Sequence, residues 1–251
     1  MNDSRPSIIF LGDSFTAGQG VKFEETFFYY VRQSLDENYR AINLGRGGAS
    51  TIQEKYNFSE LIDNVSPNID TLVFQIHPND VEDHADLPKI KRNILRRVLS
   101  RVSDLYSYMD LFYINQTWAK NSLDILFLSH QDQNVMSKHL IDINSITSLV
   151  KKDGARVIFL AVPFLSSDKS IENSEIYISK LRENFLNTCS AYDYFIDVSP
   201  TAKNFSISNR IVSSIDHHAS AELNFEIGLL LKRVLENKLA VSDKGVFSCK
   251  L

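Results

Sequence analysis

Short, continuous apolar runs alternate along this chain with stretches whose apolar residues return every three or four positions. A continuous run reads as a strand buried on both faces, and the longer period reads as a helix with one buried face. The runs predict strands near Ile8–Leu11, Arg40–Leu44, Thr71–Ile76, Arg156–Val162 and Tyr194–Val198. The periodic stretches predict helices near Glu25–Glu37, Ile52–Asn64, Ser137–Lys152, Ser174–Ser190 and Ser220–Asn237. Gly154, just past Lys151 and Lys152, is a helix stop with cations at the negative end of the dipole. Strands alternating with helices imply βαβ units and a mostly parallel α/β sheet.

Residues 81–135 break the rhythm. The segment is too long for a simple connection and should carry structure of its own. Ile90, Ile94, Leu95, Val98, Leu99, Val102, Leu105 and Met109 repeat at helical spacing, which predicts a helical insertion after the third strand. Between them lies a basic stripe from Lys89 to Arg101 and beyond them an aromatic run, Tyr106, Tyr108, Phe112, Tyr113 and Trp118. The stripe is a solvated helix face or a docking surface for an acidic partner. Residues 239–251 read as a loosely attached tail.

The 251 residues can bury one sizeable core, and 1–238 reads as a single domain. With 43% apolar and 23% charged residues the chain is globular, and a net charge of -4 gives no general attraction to nucleic acid or anionic membrane. No run approaches a transmembrane length. Cys189 and Cys249 lie far apart with no Cys-x-x-Cys pattern, so they are expected as thiols rather than a disulfide or a metal site. The N-terminus enters the first strand with no signal-peptide core, and a cytoplasmic location is the expectation.

Four segments carry chemistry. The first strand ends in Gly12-Asp13-Ser14, delivering a serine at the carboxyl edge of the sheet, where open α/β folds bind ligands. Asn43-Leu44-Gly45-Arg46-Gly47-Gly48 follows the second strand, and its glycines let a bare N–H approach a ligand. His77-Pro78-Asn79-Asp80 follows the third, where the Asn79 amide can donate to an oxyanion. Asp216-His217-His218 precedes the last helix, and a carboxylate two residues before an imidazole can accept its Nδ1–H. Acyl transfer needs this set: nucleophile, base, orienting acid and oxyanion donors.

Serine, glycine, asparagine and histidine in this order on strand ends resemble the SGNH (GDSL-type) hydrolase superfamily, from Ser7 to about Asn237 without the insertion. The resemblance implies a three-layer α/β/α, flavodoxin-like fold with five parallel strands in the order 2-1-3-4-5. It implies Ser14 as nucleophile, His218 as base, Asp216 as acid, and an oxyanion hole from Ser14, Gly48 and Asn79. Two departures stand out. The third block is usually Gly-x-Asn-Asp, and here His77 takes the glycine's place. The last block is usually Asp-x-x-His, and here the carboxylate is one residue closer. Asp13 and His77 are further candidates for substrate contact, and Asp13 for bracing the loops.

The expected activity is hydrolysis of acyl or acetyl esters through an acyl-serine, with no cofactor and no metal. An acyltransferase using the same site, with a hydroxyl or amine acceptor, and a silent binding module on the same fold are the alternatives. A metal site from Asp216, His217, His218, His77 and His84 lacks ligand spacing. His130 and His139 have no visible partner in the sequence and are expected at the surface or an interface.

Overall fold

The computed structural model describes residues 4–87, 102–103, 106, 109, 113, 122–238 and 244–249. Its strands are β1 (Ser7–Leu11), β2 (Arg40–Asn43), β3 (Ile69–Ile76), β4 (Arg156–Ala161), β5 (Tyr194–Asp197) and β6 (Val246–Ser248). Its helices are α1 (Ser14–Ala17), α2 (Phe27–Ser34), α3 (Thr51–Val65), α4 (Gln133–Lys151), α5 (Asp168–Thr188), α6 (Ser199–Ala202), α7 (Ile207–Arg210) and α8 (Ala221–Leu235), with a further helical stretch at 122–129.

The first five strands are parallel and ordered β2-β1-β3-β4-β5, as the resemblance implies. All of β1 is buried, and its side chains part to the two faces. Ile8 and Phe10 join one core with Phe27 and Val31 of α2 and Leu223, Ile227 and Leu231 of α8. Ile9 and Leu11 join the other with Phe58 of α3, Ile143 and Ile146 of α4, and Tyr177 and Phe185 of α5. A sheet covered on both faces wants apolar residues at every position, which is why β1 reads as a run rather than an alternation.

Capping residues set the helix starts. Asp132 accepts from Asn134 N and Val135 N, and α4 begins at Gln133 rather than near Ser137. Ser167 accepts from Ser170 N, and α5 begins at Asp168 rather than near Ser174. Apolar spacing alone misses these polar first turns.

The C-terminal expectations are corrected. Residues 244–249 do not trail loosely: β6 runs antiparallel to β5 as a sixth strand, with Phe247 opposite Phe195. The Arg182 guanidinium lies 4.6 Å over the Phe247 ring. Cys189, at the end of α5, and Cys249 form a disulfide rather than two thiols. Docking of β6 brings together two cysteines 60 residues apart, which no local spacing announces.

His130 and His139 are also corrected. Both are fully buried, His130 Nε2 bonding Pro78 O at 2.8 Å and His139 Nε2 bonding the Tyr177 hydroxyl at 2.7 Å. Within the expected insertion, 122–129 is helical and Leu126 enters the core. The Lys89–Arg101 stripe and Tyr108, Phe112 and Trp118 lie outside the described residues. Among the described residues no helix is long and apolar enough to cross a membrane.

Candidate active site

Ser14 stands where β1 stops. Gly12 makes the turn because it has no side chain: a Cβ there would come within 2.4 Å of both Gln75 Oε1 and Thr16 Oγ1. Gln75, near the end of β3, fastens the turn from the neighbouring strand. Its Oε1 accepts from Asp13 N at 3.1 Å and Thr16 Oγ1 at 3.0 Å. Asp13 Oδ1 accepts from Phe15 N at 2.9 Å and starts α1. Ser14 is the first residue of α1, so its own N–H has no intrahelical acceptor.

The loop after β2 is tied to this turn. Asn43 Nδ2 donates to Thr16 O at 2.9 Å, its Oδ1 accepts from Gly45 N at 2.7 Å, and Arg46 N donates to Gly12 O at 3.1 Å. Gly48 in this loop has a φ of 71°, in the left-handed region that favours glycine, and faces open space.

At the end of β3, Asp80 Oδ2 accepts from His77 N at 2.8 Å and starts the 3-10 turn Pro78–Asp83. The His77 ring reaches Asn79, with Nδ1 to Oδ1 at 2.6 Å. The segment between α7 and α8 returns to the same edge. Ile211 and Ala219 pair as an antiparallel bridge, Val212 N donates to His218 O at 3.0 Å, and Ser220 N donates to Arg210 O at 3.0 Å. Arg210 anchors the base of this loop: its side chain is fully buried and donates to Leu165 O at 3.1 Å and to Asp168 at 2.8 Å.

The result joins residues 204 positions apart: Ser14 Oγ lies 2.7 Å from His218 Nε2. His218 Nδ1 lies 2.5 Å from Asp216 Oδ1, which also accepts from the His218 backbone N–H at 3.2 Å. That tight turn folds an i, i+2 carboxylate back onto the ring, so the shortened spacing reaches. A carboxylate on Nδ1 fixes the proton there and leaves Nε2 to accept from Ser14. His217 is exposed and turns away, with Nε2 3.1 Å from Ser214 O.

Burial acts to raise the Asp216 pKa, but the His218 hydrogen bond and charge prevail and hold it below the usual aspartate value. Asp13 behaves oppositely. Burial pushes it up to about 6, against the Phe15 N–H and the His218 charge. Burial, with repulsion from neighbouring carboxylates that include Asp13, raises Glu54 and Asp80 well above the ordinary carboxylate range. Burial thus shifts the carboxyls beneath the site toward their neutral forms, while Asp216 is held toward the anion on the His218 ring.

Asp13 and His77 are 1% and 4% exposed. Both side chains are engaged within the protein: Asp13 caps α1, and His77 stacks on Phe15 and lies 2.6 Å from Asn79 Oδ1. Sequence reasoning assigned no role to Gln75, Asn43 or Arg210. Gln75 and Asn43 sit inside the quoted strand ends, and a polar residue in an otherwise apolar strand was the available signal. Arg210 gave none.

No protein-family model and no curated protein matches the chain by sequence. Solved structures do. One is a catalytic mutant of Axe2, an acetylxylan esterase from Geobacillus stearothermophilus, with 15% identity, coverage of 95% of this chain and 96% of that one, and a TM-score of 0.55. Another is a carbohydrate acetylesterase family member from Sinorhizobium meliloti, with 15% identity, coverage of 93% and 99%, and a TM-score of 0.54. A third is a member of the lipolytic protein G-D-S-L family from Veillonella parvula, with 14% identity, coverage of 91% and 96%, and a TM-score of 0.51. Identities this low speak for architecture, and on that ground the chain has the SGNH hydrolase fold.

Proposed function

We propose that the protein is a carboxylic ester hydrolase that works through an acyl-serine on Ser14. One observation carries this reading: the continuous relay from Ser14 Oγ to His218 Nε2 at 2.7 Å and from His218 Nδ1 to Asp216 at 2.5 Å. His218 takes the Ser14 proton as Oγ attacks the ester carbonyl. Asp216 keeps the proton on Nδ1 and stabilises the imidazolium. The Ser14 and Gly48 N–H groups and the Asn79 amide receive the oxyanion. His218 then protonates the leaving alcohol. Water repeats the sequence on the acyl-enzyme, releasing the acid and restoring Ser14.

Acyl or acetyl esters are the proposed substrates. The acetylxylan esterase and carbohydrate acetylesterase among the structural neighbours favour a small acyl group. All the chemistry is assigned to side chains and backbone N–H groups, so the reading asks for no cofactor. The Cys189–Cys249 disulfide favours an oxidising compartment as the site of action.

The test is labelling with a fluorophosphonate probe alongside hydrolysis of p-nitrophenyl acetate. The wild type is expected to label and turn over, and Ser14→Ala to do neither while keeping its near-UV spectrum. Unchanged turnover in folded Ser14→Ala overturns the assignment.

A further inference from the structure

In the resembling superfamily glycine precedes the Asn-Asp pair by two positions, so a histidine there belongs to this chain. His77 is buried and held on three sides. Its ring stacks on Phe15 with centroids 4.9 Å apart and planes 29° apart, and meets Phe164 edge-on at 4.6 Å. Its backbone is locked in both directions to Asp80, His77 N to Oδ2 at 2.8 Å and Asp80 N to His77 O at 3.0 Å. The ring's Nδ1 lies 2.6 Å from Asn79 Oδ1, and the Asn79 backbone N–H faces the same nitrogen from 3.5 Å, too long for a strong bond.

We infer that His77 is a positioning residue whose Nδ1–H grips the Asn79 carbonyl and leaves the Asn79 Nδ2–H group free to meet the oxyanion. This rests on the ester-hydrolase reading above. The two ends of a carboxamide have the same shape, so chemistry decides which end faces His77. His77 Nε2 is buried with no partner among the described residues. With Nδ1 protonated, Nε2 is a bare lone pair. In the reversed arrangement Nε2 carries a buried N–H with no acceptor, the rarer and costlier orphan. Reversal also points a carbonyl oxygen at developing negative charge. The ring stays neutral, because burial holds its pKa at about 3. No second cation therefore stands beside His218 when that ring is protonated. Phe15 lies between both imidazoles, stacked on His77 at 4.9 Å and tilted against His218 at 5.0 Å, so the two halves of the machinery share one spacer.

Two substitutions separate positioning from packing. His77→Phe keeps an aromatic ring between Phe15 and Phe164 but has no donor. His77→Asn loses the ring but puts an amide N–H close to where Nδ1 stood. With p-nitrophenyl acetate, His77→Phe is expected to lose about tenfold to a hundredfold in kcat at nearly constant KM, less than or equal to the ~10²–10³ of a deleted oxyanion donor. His77→Asn is expected to recover most of that loss. Nitrogen-15 NMR of the wild type at neutral pH is expected to find the proton of His77 on Nδ1. Full kcat in His77→Phe, a His77→Asn that is folded yet as impaired as His77→Phe, or a proton on Nε2 overturns the inference. A wild type that neither labels with fluorophosphonate nor hydrolyses ester defeats the underlying reading instead, and the NMR result stands apart from both.

Discussion

The Asp216–His218 contact closes over a two-residue spacing, where the SGNH pattern that the sequence resembles has three. One carboxylate oxygen accepts both the ring Nδ1–H and the backbone N–H of the same histidine, at 2.5 and 3.2 Å. That geometry closes only because the turn is held from outside, by Ser213 Oγ accepting from Asp216 N at 3.1 Å. Asp216→Asn keeps the shape but offers the ring a donor or a weaker acceptor, and disturbs the tautomer that Ser14 needs. Its kcat is expected to fall on the order of 10³–10⁴-fold, as loss of the triad carboxylate does elsewhere. His217→Ala is expected to leave kcat within about twofold, since its ring bonds only the Ser214 carbonyl on the exposed side. Steady-state kinetics on the two variants checks both statements, and equal effects would mean that the wrong histidine has been assigned.

Among the elements, the site is made by the ends of parallel strands and one loop that has to return to them. Gln75 and Asn43 do for the β1 turn what no residue within it can: each crosses from an adjacent strand and satisfies groups of the Gly12–Ala17 turn. The return loop depends on Arg210, whose buried guanidinium binds Leu165 O beyond β4 while its backbone carbonyl receives Ser220 N. At the far edge, β6 pairs with β5 and is further fastened by three side-chain contacts, Phe247 on Phe195, Arg182 over Phe247, and the Cys189–Cys249 bridge. Opening a 60-residue link frees the unfolded chain, which predicts that Cys249→Ser loses about 2–4 kcal/mol of stability. Because β6 pairs with β5 and not with the strands bearing Ser14, Gly48 or Asn79, kcat should not change. Urea unfolding and ester turnover of Cys249→Ser measure the two expectations separately.

For the molecule as a whole, burial shifts several ionisable groups toward their neutral forms, and the consequences for pH have opposite signs. Burial lowers His77 and His139 to about 3 and His130 to about 4, from an ordinary value of 6.5. Neutral when folded, they stabilise fully above pH 6.5, and that contribution is lost as pH falls and the unfolded chain takes up their protons. Asp13 and Glu82 are raised to about 6 and 7, and Glu54 and Asp80 well above their ordinary values, burial being the first cause for each. Protonated when folded, these four stabilise fully at acid pH, and lose that contribution as pH rises through their folded values. From about pH 4.5 to 6 the three imidazoles and four carboxyls nearly cancel, each bound proton being worth about 1.4 kcal/mol per pH unit. Stability is therefore expected to plateau there, to drop steeply below pH 4 and to decline above pH 7. Urea midpoints from pH 3 to 9 read this directly, and a curve that climbs steadily from pH 5 to 8 contradicts it.

The sequence by itself determined the five parallel strands and the alternation of layers, and it singled out the four segments proposed to carry chemistry. Those follow from local quantities: which runs are apolar, where glycine permits a turn, and where a polar residue sits at a strand end. Tertiary structure decided what no local pattern encodes. The imidazole of His218 meets Ser14 because a loop held by a buried arginine bends back to the sheet edge. His77, read from its position as a substrate contact, is turned inward by Phe15, Phe164 and Asn79. His130 and His139 vanish beneath the site because Pro78 O and the Tyr177 hydroxyl give their rings partners there. Cys189 and Cys249 meet only because an edge of the sheet was left for β6 to cover. Most of these partners are distant in the chain, and a side chain's chemistry is set by the neighbours that folding brings to it.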